Sequence, residues 1–247
     1  FAFVIWDDNK KKLFAARDRL GIKPFFYYLD NEKLVWGSEI KSILKANVNT
    51  NINLKGLDQY ITYGHTLKDT SIYKNISKLE PGTSFSILPF KSSKIKFNKY
   101  WNLEYNPDFS KSQSDFEEEI RFITNESIKI RMISDVPLGA FLSGGVDSSS
   151  VVASMSSLSG KPIKTFSIGF KEQKFNELKY ANIVAKKYNT DHHELIVEPK
   201  SIDLLPDLVK SYDEPFADSS SIPTYYLSKF TREHVTVALS GDGGDEL

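Results

Sequence analysis

The chain has 247 residues, 40% of them hydrophobic and 26% charged, with 32 basic and 32 acidic side chains and no cysteine. That composition excludes a disordered or fibrous polypeptide, and a net charge of zero argues against a dedicated nucleic-acid binder, whose affinity comes from neutralising phosphates. Without cysteine the chain has no disulfide, thiolate metal site or cysteine nucleophile. No apolar run reaches the ~18 residues of a membrane span and no secretory signal is visible, so a cytoplasmic protein with no membrane partner is expected.

The chain opens inside a strand-like run, Phe1 to Trp6, and closes just after a Gly-rich turn. This raises the expectation of a piece of a longer polypeptide. The first hundred residues read as β-rich. Apolar runs at 1–6 and 13–17 flank a polar turn and predict a hairpin. Strands are predicted at 25–29 and 34–36, short helices at 38–46 and 54–63, and a second hairpin pairs 84–90 with 94–101 after Pro81-Gly82. The lysines around that hairpin read as a solvated edge. Composition shifts at Asn106-Pro107-Asp108, which marks a boundary between a first domain, 1–104, and a second, 110–247. Ser114 and Glu117 form a capping-box pattern at the start of a helix carrying Phe116, Ile120 and Ile123.

From there strands and helices alternate: strand 136–142, helix 148–158, strand 163–168, helix 177–188 and strand 193–197. A helical region broken at Pro206 follows, then helix 223–233 and strand 235–239. Nearly continuous apolar strands separated by helices imply βαβ units and a parallel sheet covered on both faces. The fold class expected is α/β, a β-rich first domain followed by a parallel-sheet domain.

The sharpest feature is Ser143-Gly144-Gly145-Val146-Asp147-Ser148-Ser149, between a strand and a helix. Glycines let the backbone turn and approach a ligand, and a helix start offers unpaired N–H groups suited to phosphate. Ser143, Ser148 and Ser149 add hydroxyls. An acid amid a phosphate cradle suits Mg²⁺, which prefers one or two carboxylates plus phosphate oxygens, so Asp147 is the metal candidate. No Gly-Lys-Ser/Thr follows, so this is not a Walker A loop. The second feature, Ser240-Gly241-Asp242-Gly243-Gly244-Asp245-Glu246, also follows a strand. In open parallel sheets the carboxyl ends of strands bind ligands. Three carboxylates clustered there point to a cation or to proton transfer.

The first loop resembles the pyrophosphate loop of the N-type ATP pyrophosphatases. With the second loop, and with Arg17-Asp18-Arg19-Leu20-Gly21-Ile22-Lys23-Pro24, Ser38-Glu39-Ile40-Lys41, Thr165-Phe166-Ser167-Ile168-Gly169 and His192-His193-Glu194, the whole chain resembles the glutamine-hydrolysing asparagine synthetase family. The resemblance implies the back part of an N-terminal-nucleophile glutaminase domain, followed by the front of an adenine nucleotide alpha-hydrolase-like synthetase domain. It implies ATP and Mg²⁺ as cofactors, aspartate or another carboxylate as acceptor, and glutamine or ammonia as nitrogen source; a homodimer is one option for an oligomeric state that the sequence does not give. By position, Leu142 and Ile168 match residues that meet the nucleotide. Ser143, Gly144, Gly145, Asp147, Ser148 and Ser149 match the pyrophosphate loop, and Ser240 and Gly241 match further ATP contacts. Asp245 matches an acidic residue of the synthetase site. Asp242 falls where better-known members carry a glutamate general base, one methylene longer.

The departures matter. The family's N-terminal cysteine and its glutamine-binding Asn-Gly-Glu segment are absent, so this stretch alone is not expected to hydrolyse glutamine. No arginine occurs across residues 213–221, where better-known members carry one. That keeps other carboxylate acceptors, such as a sugar uronate, and a non-catalytic nucleotide-binding module open as alternatives. His192 and His193, adjacent on a strand, point to opposite faces and read as structural, and His65 and His234 read as isolated.

Overall fold

A computed structural model describes residues 1–88, 92–171, 176–197 and 201–244. The chain divides into two compact units, Phe1–Asn106 with Leu205–Asp218, and Pro107–Leu204 with Ser219–Leu247.

The first unit holds two antiparallel sheets. One orders as β1 (Ala2–Asp7), β2 (Lys12–Arg17), β6 (Thr83–Leu88) and β7 (Ser92–Lys99); the other as β4 (Leu34–Gly37), β3 (Phe26–Leu29) and β5 (Ile76–Lys78). Leu13, Ala15, Phe25, Leu79, Phe85 and Ile87 form one buried core, and Ile40 and Ile43 of α1 (Ile40–Leu44) join Tyr28, Val48 and Ile76 in another. α2 (Leu54–Tyr63) starts where Asn53 accepts from Lys55 N and stops at Gly64, whose left-handed conformation closes the last turn.

Polar anchors tie the turns of this unit to its strands. The Arg17 guanidinium donates to three carbonyls, those of Lys23 at 2.8 Å, Leu79 at 2.6 Å and Gly21 at 2.8 Å. Asp18 accepts from Ile22 N and Lys23 N, both at 2.9 Å. Burial opposes ionisation of Asp18, but these hydrogen bonds outweigh it and hold the carboxyl below the usual carboxylate range.

Residues 205–218, placed in the second domain by the sequence reading, pack with the first unit. Asp213, in a left-handed conformation (φ 65°), accepts from Lys41 N at 3.2 Å and pairs with Lys41 Nζ at 3.3 Å. Glu214 pairs with Lys78 Nζ at 2.6 Å and also accepts from Thr66 Oγ1 at 3.1 Å and Ile72 N at 3.2 Å. Both side chains of the Lys78–Glu214 pair are largely buried, 18% and 13% exposed.

The second unit is a parallel sheet ordered β10 (Asp191–Val197), β9 (Lys164–Phe170), β8 (Leu138–Phe141) and β11 (Val237–Leu239). Its helices are α3 (Gln113–Arg131), α4 (Val146–Leu158), α5 (Leu178–Lys187), the start of α6 (Ser201–Tyr212) and α7 (Ser221–Arg232). Ala140, Leu142, Val152, Met155, Ile163, Ala181 and Ala185 form its core.

Two local expectations are corrected. The N-cap of α3 is Ser112, not Ser114: Ser112 Oγ accepts from Asp115 N at 3.3 Å and Asp115 Oδ2 accepts from Ser112 N at 2.8 Å. Two overlapping Ser-x-x-acid patterns compete, and the earlier one adds residues to the helix while Glu117 is taken by Gln113 at 2.7 Å. α6 runs through Pro206 rather than breaking there, because one lost backbone bond is offset by burying Leu204 and Leu208. Among the described residues no helix is long and apolar enough to cross a membrane.

Glu214→Ala leaves the Lys78 ammonium buried without its counter-charge, and is expected to lower the stability of the first unit by about 3 kcal/mol in urea unfolding. Adding Lys78→Met in the same chain should recover part of that loss. Because the carboxyl of Asp18 is depressed below 3.8, its stabilising contribution is complete above roughly pH 4 and is lost as pH falls through the depressed value. Unfolding of Asp18→Asn should lack that acid-dependent component.

Candidate nucleotide site

The parallel sheet runs outward from β8 to β9 to β10, then returns to place β11 on the other side of β8. The chain therefore reverses its winding between β8 and β11. Such a switch point leaves a crevice at the carboxyl ends of the strands, where open α/β sheets bind ligands. Both Gly-rich loops leave the sheet there, one after β8 and one after β11.

The first loop turns at Gly144, whose φ of +87° suits glycine. A Cβ on Gly144 would lie 2.5 Å from Ala181 N and 2.6 Å from the Tyr180 carbonyl carbon, so the start of α5 backs the loop tightly. Gly145 is the N-cap of α4 and has no side chain to occupy the first N–H groups of that helix. The hydroxyls of Ser143 and Ser148 meet at 2.9 Å, and Ser143 Oγ accepts from Gly145 N at 3.2 Å.

The second loop closes on the first. A Cβ on Gly241 would come within 2.6 Å of Ser148 N, and one on Gly244 within 2.5 Å of an Asp147 carboxylate oxygen. The loop itself turns with Gly244 N donating to Gly241 O at 3.2 Å, and Ser240 Oγ donates to Asp242 Oδ2 at 3.0 Å. β8 and β9 are locked at this level: Leu142 N donates to Phe166 O at 2.8 Å, and Ser167 Oγ donates back to Leu142 O.

These elements enclose a cavity of about 760 Å³. Leu142, Ser143, Gly145, Asp147, Ser148, Ile168, Ser240, Gly241 and Asp242 all line it, so nine positions chosen from the sequence meet at one place. Gly144 stands behind the cradle. Ser149 does not line the cavity; its hydroxyl is buried in α4 and makes no hydrogen bond. Asp245 lies outside the described residues. The sequence reading missed Phe141 and Phe170 at the strand ends, Glu177 before α5, and Pro223, Thr224 and Leu227 on α7. The start of α7 just beyond an acidic Ser-rich stretch was the one available signal, and it does not by itself say which face of the helix is turned to the crevice. Among the described residues, the charged groups of the lining are Asp147, Glu177 and Asp242, all acidic.

Below the crevice, on β10, His192 and His193 sit in different environments. His192 Nδ1 is 2.8 Å from Thr165 Oγ1, and its Nε2 is 3.3 Å from Glu194. Burial pushes the His192 imidazolium down, against the pull of Glu194. His193 stacks on Phe166 at 5.3 Å between ring centroids, and His234, expected to be isolated, lies 4.3 Å from His193.

A family model described as Asparagine synthase matches residues 119–247, and one described as Glutamine amidotransferase domain matches residues 1–101. A protein named putative asparagine synthetase [glutamine-hydrolyzing] 2 from Methanocaldococcus jannaschii is 42% identical over 253 residues, covering 100% of this chain and 48% of the relative. Asparagine synthetase [glutamine-hydrolyzing] 1 from Bacillus subtilis is 36% identical, with 100% and 39% covered. Amidase chry2 from Gibberella zeae is 29% identical, again with 100% and 39% covered. The chain thus spans about half or less of the length of these relatives.

The cradle glycines give a graded test of the geometry. Gly144→Ala meets backbone on two sides at positive φ and should cost about 3 kcal/mol or more in thermal or urea unfolding. Gly243→Ala, at φ +93° but with open space around its Cβ, should cost only about 1–2 kcal/mol, the conformational penalty alone.

Proposed function

This chain belongs to the asparagine synthase family, and from that premise we propose that its second unit binds ATP with Mg²⁺ and amidates a carboxylate, with release of AMP and pyrophosphate. Aspartate is the leading acceptor, and in the full-length protein glutamine hydrolysis supplies the ammonia. The observation that carries this reading is the interlock of two Gly-rich loops at the switch point, with Gly241 against Ser148 N and Gly244 against the Asp147 carboxylate.

The residues present fit a magnesium–nucleotide complex. The side-chain-free start of α4 turns its N–H groups and the positive end of its dipole to a polyanion. Among the described residues the charged lining groups are acidic, which favours phosphates that arrive with a cation, and Asp147 would hold it. Mg²⁺ held by Asp147 would supply the positive charge that a departing pyrophosphate needs.

The chain's own groups then divide the work. Leu142 and Ile168 flank the base, while the loop amides and the hydroxyls of Ser143 and Ser148 receive the phosphates. Ser240 and Gly241 give the nucleotide a second wall. An acceptor carboxylate oxygen attacks the α-phosphorus, the bond to the bridging oxygen breaks, and pyrophosphate leaves. Ammonia attacks the acyl carbon of the resulting adenylate, Asp242 accepts the proton the nitrogen sheds, and the bond to AMP breaks. Asp245 completes the acidic set at the level of the sequence.

The full-length protein, given ATP, Mg²⁺ and ammonium with aspartate or a panel of other carboxylates, should release AMP and pyrophosphate with its true acceptor. ADP and phosphate instead would overturn the reading. Asp242→Asn should slow amide formation by about 10²–10⁴-fold while leaving acceptor-dependent exchange of pyrophosphate into ATP intact. Asp147→Asn should depress both by roughly 100-fold.

A further inference from the structure

The parallel sheet of the second unit has another cavity at its opposite end. It measures about 390 Å³ and lies where the strands begin, beside Leu138 of β8, Lys164 of β9, Asp191 of β10 and Val235 just ahead of β11. It shares no lining residue with the nucleotide cavity, which opens where the strands end. Ligands of open α/β sheets gather at the carboxyl ends of the strands, so the general rule for this architecture does not account for a cavity at the amino ends.

Its floor is apolar. Met155, Ile163 and Val235 are buried, and Met132 and Leu138 pack against the core that holds Met155 and Ile163. Met132 and Met155 are the two methionines of the chain, and both line this cavity. Their unbranched thioethers let the walls adjust to an irregular guest.

The polar groups around the floor are already engaged. Ser134 Oγ donates to Val136 O at 2.9 Å and accepts from Val136 N at 3.2 Å. Ser159 Oγ donates to Lys161 O at 2.7 Å and accepts from Lys161 N at 3.3 Å. Pro137 and Pro162 have no N–H, and Pro137 O accepts from Thr236 N at 3.0 Å and Val237 N at 3.2 Å. Ile163 O accepts from Asp191 N, and Val235 N donates to Thr231 O, both at 2.9 Å. Lys164 Nζ is paired with Asp191 Oδ2 at 2.8 Å, and Asp191 Oδ1 faces His193 Nε2 at 3.2 Å. That leaves Lys161. It is solvent-exposed, and among the described residues its ammonium has no ion-pair or hydrogen-bond partner. A guest therefore meets apolar surface and one uncompensated cation.

We propose that this cavity binds a monocarboxylate with a short hydrocarbon body, the body resting on Met155, Ile163 and Val235 and the carboxylate facing Lys161. The charge count selects the head group, because a dianion would find one free cation and an ammonium would be repelled by it. The floor selects the body, because a polar body would lose its water and find no free donor or acceptor in exchange. The volume, at the small end of ligand cavities, limits the length. The proposal goes beyond the nucleotide reading and does not depend on it.

The test uses the full-length protein, isotopically labelled at the methionine methyl groups, with and without magnesium ATP. The probes are octanoate, butyrate and octan-1-ol. In NMR titrations the methyl signals of Met132 and Met155, assigned through Met132→Leu and Met155→Leu, should move saturably with octanoate whether or not magnesium ATP is present. Butyrate should bind about tenfold or more weakly, for its missing methylenes, and octan-1-ol roughly fivefold more weakly, for its missing charge. Lys161→Met, at an exposed position, should weaken octanoate by roughly the same fivefold and leave octan-1-ol unchanged, and Lys161→Arg should restore octanoate. Equal binding of octanoate and octan-1-ol, or octanoate binding indifferent to Lys161→Met, would overturn the proposal. So would methionine signals that no probe moves, as expected if the protein itself fills the cavity, and signals that octanoate moves only in the absence of magnesium ATP, which would put the probe in the other cavity.

Discussion

The pairing of β11 with β8 is the constraint on which the candidate site depends. It places two loops far apart in sequence at the same end of the sheet, with so little space between them that a Cβ on Gly241 would press on the α4 backbone and one on Gly244 would displace the Asp147 carboxylate. The Asp147 carboxylate is held against the second loop at the mouth of the α4 helix. A polyanion entering the crevice would meet backbone N–H groups, two hydroxyls and one well-placed acid, a set that suits phosphates only together with a cation. The interlock also means that the loops cannot be altered independently, since a change in either presses on the other.

The first unit uses its charges differently. Arg17, Asp18 and Glu214 are each saturated by several hydrogen bonds or ion pairs to backbone and side chain. Such groups are spent on holding turns and a returning segment in place. The acidic Asp213-Glu214 pair is engaged in the same way by Lys41 and Lys78.

Much of the cavity lining was legible in the sequence because a tight strand-to-helix turn demands small residues, and that demand is local. Leu142 to Ser148 and Ser240 to Asp242 announced themselves in that way. The wall formed by Phe170, Glu177, Pro223, Thr224 and Leu227 did not, because residue type says nothing about which side of a helix or strand end a distant loop will face. The same limit hid the contact between His193 and His234, residues 41 positions apart in the chain, each of which looks unremarkable alone. Ser149, identical in type to its neighbour Ser148, was chosen with it; a one-residue step along a helix turns the side chain by about 100°, enough to take its hydroxyl out of the cavity.

The sequence by itself determined the alternation of strands and helices, the two Gly-rich loops and the family that their motifs resemble, since periodicity, turn chemistry and motif spacing act over a few residues. Only the tertiary structure decided that residues 205–218 belong with the first unit, that Ser112 rather than Ser114 caps α3, that α6 continues through Pro206, and that β11 lies beside β8. Each of those outcomes is a competition between local preferences, or a pairing across long stretches of chain, and is settled by which arrangement buries more apolar surface while leaving the fewest charges and backbone groups unpaired.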